Sequence, residues 1–325
     1  MPDDPLFGDL EGHTLAVRLL RAGLESGRLA PAYLFAGPDG VGRRLAARRF
    51  LEGVLRGGSA DPLVRRRLAE GNLADLLWLE PTYMHQGQAV PASQAEAQGV
   101  SQRTPPQIRL EQVREVTRFL GRRPSESPRP LVVIEAAEAM AEGAANALLK
   151  TLEEPGDGLL ILISSAPERL LVTIRSRCQW IPFPPLTAAQ METVLIRGGE
   201  ASPDPDGGAR RDPEGLLALA GGSPGALLAH RRHWQRLPEG LADRLEHRSS
   251  NPLEALELAR EISENLDGEQ QLWLLSWWQT TLWRRERHPR PVARLEVLRK
   301  HLLGHVQPRL AWEVTLLDLA RLRGG

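Results

Sequence analysis

The chain has 325 residues, 42% hydrophobic and 25% charged, a make-up that excludes disorder and supplies apolar material for two or three packed domains. Its 41 basic and 41 acidic side chains cancel, which excludes a global positive field and leaves any nucleic-acid contact to local basic patches. The single cysteine, Cys178, excludes an intrachain disulfide and a multi-cysteine zinc site within the chain.

Met1-Pro2-Asp3-Asp4-Pro5 carries acid where a signal peptide needs base, and no apolar run reaches the roughly 18 residues of a membrane span, so a cytoplasmic location is expected. Ala32-Tyr33-Leu34-Phe35-Ala36 is a short apolar run ending at glycine. Leu45, Ala46, Arg49, Phe50 and Val54 follow with helical spacing, which predicts a strand, loop and helix unit. From Gly57 to Gln107 the pattern is less legible. Arg65-Arg66-Arg67 fits a helix, Leu76 to Leu79 a strand, and the Gln/Ala/Ser-rich stretch Gln86 to Gln102 an exposed loop. Leu131 to Ile134 and Leu159 to Ile163 are brief and aliphatic, bounded by Pro130, Gly156 and Gly158, and read as buried strands. Between them Ala144 to Leu152 favours a helix, which Pro155 ends by disfavouring helical geometry at Glu154.

Strands alternating with helices imply an α/β fold, with a parallel sheet covered on both faces and ligands at the carboxyl ends of the strands. This P-loop domain is expected over residues 1–185, closing near Pro184-Pro185 after a last strand around Trp180 to Phe183. A small helical segment over 186–231 follows, interrupted by the Pro/Gly/Asp-rich loop Ser202 to Pro213. Over 232–325, Trp273, Leu274, Leu275 and Trp277, then Leu310, Val314 and Leu317, recur at helical spacing and predict a C-terminal bundle.

Gly37-Pro38-Asp39-Gly40-Val41-Gly42-Arg43-Arg44 lies where a phosphate-binding loop, G-x-x-x-x-G-K-[ST], would lie. In that pattern amides cradle phosphate, the lysine reaches the β- and γ-phosphates, and the hydroxyl ligates magnesium. Here the glycines are present, Arg43 takes the lysine position and Arg44 the hydroxyl position. Lysine occurs only at positions 150 and 300, and the other 39 of the 41 basic side chains are arginine, so Arg43 reads as a charge-conserving change, although guanidinium is not a simple substitute. Arg44 is more damaging, because a cation cannot ligate Mg²⁺. An active chain of this type would also end the Leu131 to Ile134 strand with Asp-Glu, and here Glu135-Ala136 lacks the water-polarising carboxylate. Glu138, three residues past the strand end, is expected to face solvent from a helix. Hydrolysis by this chain alone is not expected. Weak or vestigial ATP or ADP binding at Gly37, Gly40, Gly42, Arg43 and Arg44 stays open, beside the plainer reading of a tight glycine turn.

Four segments carry a family resemblance: Phe7 to His13, Ala32 to Pro38, Asn146 to Pro155 and Ser176-Arg177-Cys178-Gln179. Together they resemble the delta prime family of bacterial DNA polymerase III clamp-loader subunits, within the AAA+ class, over most of the first two domains. The C-terminal bundle matches in length and helical character only. The resemblance implies that Arg177 is an arginine finger, reaching the γ-phosphate of ATP held by a neighbouring γ/τ subunit. Such a finger is worth about 10³ to 10⁵ in rate in related NTPases. The alternative for Arg177 is an interface or surface salt bridge. Gly221 to Leu227 looks like the sensor-2 segment, with Gly225 where active relatives carry arginine. By the same resemblance 186–231 is a lid and 232–325 an oligomerisation collar. The implied partners are γ/τ and δ subunits and, through the complex, the sliding clamp and primer-template DNA, with no membrane.

No cofactor is required on this reading. Many relatives carry a four-cysteine zinc module between the first helix and the next strand, but Gly53 to Leu79 contains no cysteine. No structural zinc is therefore expected, and the conformation of Arg56 to Ala74 is left open. Two other functions stay in view: a catalytic γ/τ-like ATPase with an aberrant loop, and a pure scaffold.

Other groups have plainer readings. Cys178 has no histidine near it in sequence and reads as a small buried residue rather than a nucleophile. His301 and His305 share a helical face at a spacing used for metal, and His230 and His233 are a further pair, but a helical setting without an adjacent glutamate favours structure over metal. Trp273, Trp277, Trp278 and Trp283 fit a core or collar interface better than a base-stacking platform. Arg284-Arg285-Glu286-Arg287 reads as a solvated face.

Overall fold

The structure is a computed structural model and describes residues 4–95, 97–100, 105–154, 156–200, 212–304 and 306–323. The chain forms two compact units, Met1–Val194 and Leu195–Gly325. In the first, the elements run α1 (Thr14–Ser26), β1 (Ala32–Ala36), α2 (Arg43–Leu55), α3 (Pro62–Glu70), β2 (Leu76–Leu79), β3 (Thr82–His85), β4 (Gln88–Pro91), α4 (Leu110–Leu120), β5 (Leu131–Ile134), α5 (Glu142–Glu153), β6 (Leu159–Ser164), α6 (Val172–Arg175) and β7 (Gln179–Pro182). Helix α7 (Ala188–Arg197) runs across the boundary.

Five strands form a parallel sheet in the order β2-β5-β6-β1-β7. Strands β1, β5 and β6 are buried at every residue, which explains why they read as unbroken apolar runs rather than alternating ones. Successive side chains still divide between the two faces. Leu34, Val132, Ile134, Leu160 and Leu162 pack with Val113 and Val116 of α4 and Ala144 and Leu148 of α5. Tyr33 and Phe35 lie against Phe50 of α2, with ring centroids 4.9 and 6.4 Å away. Register Ala36↔Ser164 sets the carboxyl ends of β1 and β6 side by side, and Leu79↔Ile134 does so for β2 and β5. The loops leaving these ends form the site.

The stretch from Arg56 to Ala74 is ordered around one carboxylate. Glu52, fully buried, accepts from the Asp61 amide at 2.8 Å and from Arg65 Nε at 2.9 Å. Asp61 in turn caps α3 through the amides of Leu63 and Val64, with Pro62 at the first helical position. The expected exposed loop Gln86 to Gln102 is corrected in part, because β3 and β4 form an antiparallel hairpin with Tyr83↔Val90 in register. Gln86 and Gly87 both take positive φ, 49° and 81°, as a two-residue hairpin turn requires. Glu96, Ser101 and Gln102 of that stretch lie outside the described residues.

The second unit is helical: α8 (Glu214–Ala220), α9 (Pro224–Gln235), α10 (Leu241–His247), α11 (Pro252–Asn265), α12 (Gly268–Glu286), α13 (Pro289–Leu303) and α14 (Pro308–Arg323). Its core is built on Trp277, Trp278 and Trp312, all fully buried. Trp278 Nε1 donates to the Leu245 carbonyl at 3.0 Å, and Trp312 Nε1 to Gln271 Oε1 at 3.0 Å, which satisfies these two indole N–H groups, whereas Trp277 Nε1 is buried without a hydrogen-bond partner among the described residues. Trp283 is exposed and carries the Arg287 guanidinium over its ring, 6.0 Å from the centroid. On α14 the buried stripe is Ala311, Trp312, Thr315, Leu316 and Leu319, whereas Leu310 and Val314 face outward. Most of the loop Ser202 to Pro213 lies outside the described residues, as does His305, so the His301/His305 pair has no geometry here. His230 accepts from Trp273 Nε1 at 3.0 Å and His233 stacks on the same indole, which gives both rings a packing role.

Candidate functional site

Strand β1 ends at Ala36, and Gly37 enters a space with no room for a side chain: its amide donates to the Ser164 carbonyl at 3.2 Å, and a Cβ would stand 2.1 Å from the Phe183 carbonyl oxygen. Gly42, at φ 116°, turns the chain into α2 without a side-chain cap, so the first amides of that helix face the loop. Arg43, the first residue of α2, is 5% exposed and ion-paired with Asp39. Burial lowers the pKa of its guanidinium, against the pull of Asp39, Glu138 and Glu135. Its Nη1 is buried without a hydrogen-bond partner among the described residues. His13 covers the same loop, its Nε2 2.8 Å from the Val41 carbonyl oxygen; burial lowers the pKa of its ring, against the pull of that hydrogen bond.

Arg44 turns to the end of β5, two strands away from β1 in the sheet. Its Nε lies 2.7 Å from Glu135 Oε1, and the same oxygen accepts from Trp78 Nε1 at 2.5 Å. Burial raises the Glu135 carboxyl, while Arg44 and the Trp78 hydrogen bond pull it back. The guanidinium of Arg48 lies 5.5 Å over the Trp78 ring and completes the group. A magnesium ion held between the hydroxyl position and the strand-end acid would have to displace Arg44 from Glu135, so the residues present do not fit it. Ala136 supplies no carboxylate and sits in the left-handed region at φ 44°. Glu138 corrects the expectation of a solvent-facing helix residue: it is half-buried in a short 3₁₀ turn and accepts from the amide and hydroxyl of Ser165 at 3.0 and 2.5 Å. These hydrogen bonds outweigh burial and lower its carboxyl pKa.

Arg177 lies apart from that cluster, in the turn between α6 and β7. Its Nη2 donates to Glu153 Oε1 at 2.8 Å and its Nη1 to the Thr173 carbonyl at 3.1 Å. Leu171, Val172 and Trp180 are exposed on the flanking segments. Cys178 is half-buried against the sheet core, and burial pushes its thiol up to about 12, which disqualifies it as a nucleophile. In the second unit, Ser223 caps α9 through the Ala226 amide at 3.2 Å, and Gly225 is the second residue of that helix. Of the predicted loop residues, Arg44 meets Glu135 directly and Arg43 feels its charge; Gly37, Gly40 and Gly42 form the backbone turn before them, the last two at positive φ, and Arg177 pairs with Glu153 instead. Sequence reasoning missed Asp39, Arg48, Trp78 and Glu153, none of which belongs to a spacing pattern. No group of three or more His, Cys, Asp or Glu poised for a metal occurs among the described residues.

A phosphate loop after an inner strand, here β1 between β6 and β7, a five-stranded parallel sheet and a following helical unit define the AAA+ class of P-loop proteins. The fold is shared with a DNA polymerase III gamma-subunit-related protein of Thermotoga maritima, at TM-score 0.54 and 17% identity over 96% of this chain and all of that one. The family model described as DNA polymerase III, delta subunit, matches residues 12–187, and the model for the C-terminal domain of cyanobacterial DNA polymerase III delta prime matches residues 189–319. The chain belongs to the DNA polymerase III delta prime family.

Among curated proteins, the delta prime subunit of Pseudomonas aeruginosa is 38% identical over 226 residues, covering 67% of this chain and 60% of that protein. The delta prime subunit of Bacillus subtilis is 35% identical over 187 residues, covering 55% and 50% respectively. The tau/gamma subunit of Haemophilus influenzae is 30% identical over 196 residues, covering 58% and 25%. The alignments thus span between half and three fifths of the two delta prime relatives.

Proposed function

We propose that this chain is a non-hydrolysing subunit of a clamp loader, which offers Arg177 to the ATP site of a neighbouring γ/τ subunit and so helps place a sliding clamp on primed DNA. The observation that carries the non-hydrolytic half of this reading is the Arg44–Glu135 ion pair, which occupies the place where magnesium would be held. Ala136 removes the base that would orient water, and Gly225 removes a phosphate contact. Relatives named as delta prime and tau/gamma subunits of DNA polymerase III support γ/τ as the neighbour. On this reading residues 186–231 act as a lid and 232–325 as a collar that also meets a δ subunit. The clamp and primer-template DNA are reached through the assembly. The subunit needs neither bound nucleotide nor zinc and works in the cytoplasm; among the described residues no helix is long and apolar enough to cross a membrane.

The test is the DNA- and clamp-stimulated ATPase of the reconstituted complex with Arg177→Ala, with assembly followed by gel filtration. A loss of about 10³ or more with assembly intact is expected of a trans-acting finger. The pairing of Arg177 with Glu153 favours a second reading, a scaffold in which Arg177 is an ordinary surface ion pair. An unchanged rate would select that reading.

A further inference from the structure

Arg177 does not project freely. Both ends of its guanidinium fork are held by the chain itself, Nη2 by Glu153 of α5 and Nη1 by the Thr173 carbonyl of α6. Glu153 is the last residue of α5, at the end of a helix whose dipole disfavours an anion, and Glu154 follows it. Within α5 the nearest counter-charge is Lys150, one turn before Glu153. Among the described residues the ion-pair partner of Glu153 is Arg177.

We propose that Glu153 is a cis-acting counter-ion that keeps Arg177 folded back and competes for it with the phosphate of a neighbour's nucleotide, a proposal that rests on the reading of Arg177 as a finger. The exchange breaks one N–H···O bond to a carboxylate and forms one to a phosphate oxygen, with no proton moved. Side-chain exposures of 36% for Arg177 and 53% for Glu153 leave the resting pair screened by water. A phosphate in a drier subunit interface makes the stronger charge-assisted bond, so the finger transfers when the interface closes.

The experiment uses the reconstituted complex and measures kcat/KM for ATP with the wild-type chain, Glu153→Gln, Arg177→Ala and the double variant, each checked for assembly. Glu153→Gln keeps the side-chain shape and removes the charge. It is expected to raise kcat/KM about two- to five-fold, the reach of an exposed ion pair in the resting state. The gain should shrink as salt is raised and should vanish in the Arg177→Ala background. An unchanged or lower kcat/KM for Glu153→Gln, with Arg177→Ala still impaired, overturns the counter-ion role and leaves the finger standing. An Arg177→Ala complex of full activity overturns the finger reading and the proposal with it.

Discussion

Arg44 and Glu135 are joined at 2.7 Å across the gap between the first turn of α2 and the end of β5. In a hydrolysing loop the side chains at these two positions would both serve one magnesium ion; here they serve each other. Supplying the missing base alone should therefore fail. Ala136→Glu is expected to leave ATP hydrolysis by the purified chain at background, and phosphate release measured with and without magnesium would check it. Turnover gained from that single change would refute the blocked-metal account.

Glu52 gathers Asp61, Arg65 and Arg49 around one buried carboxylate. Glu52→Ala removes the acceptor and leaves Arg49, itself half-buried, with one partner fewer. Because Arg65 reaches solvent and Arg49 keeps Asp9, the main cost is the Asp61 amide left without its acceptor, about 1 to 3 kcal/mol. Urea unfolding should register the loss, and hydrogen exchange should place the first opening in α3.

Asp75 predicts an acid limb of stability. Burial opposes its charge, but the amides of Glu126, Ser125 and Ser127 outweigh that and hold the carboxyl at about 2. The folded pKa thus lies below the unfolded value, so the stabilisation is fully present above about pH 4 and is lost as pH falls from there toward 2. Asp75→Asn should flatten that limb in denaturation curves taken between pH 5 and pH 2.5. A mutant curve parallel to wild type would show that the three amides are satisfied some other way.

Trp278 ties α12 to α10 through its indole N–H and stacks on Trp312 of α14, with ring centroids 6.4 Å apart. Trp278→Ala is expected to cost about 3 to 5 kcal/mol and to loosen the second unit. Near-ultraviolet dichroism would report the loss of fixed indole packing. A thermal midpoint within a degree of wild type would contradict the placement of this side chain at the centre of that core.

The sheet was legible because burial on both faces leaves β1, β5 and β6 as unbroken apolar runs, and because Gly37 and Gly42 stand where backbone crowding and positive φ demand glycine. Residues whose roles arise from tertiary approach were not. Glu153 is a solvent-exposed acid in a helix, and only the fold of α6 onto α5 brings Arg177 to it. Glu138 follows the strand end at a spacing that fits a surface helix, but the 3₁₀ turn swings it onto Ser165. The β3–β4 hairpin hid behind a glutamine at a positive-φ position usually held by asparagine or glycine. On α14, apolar spacing alone did not separate the outward Leu310 and Val314 from the inward Trp312.

The charged seam that fastens α3 also decides which agents can unfasten it. A segment clipped by four thiolates on a zinc ion would be open to chelators and to oxidants. Here α3 hangs from Glu52 and Arg65, a carboxylate and a guanidinium that neither peroxide nor EDTA attacks. Its attachment answers to ionic strength instead, so the segment should keep its form through swings in redox state or zinc supply that would unravel a metal-clipped counterpart.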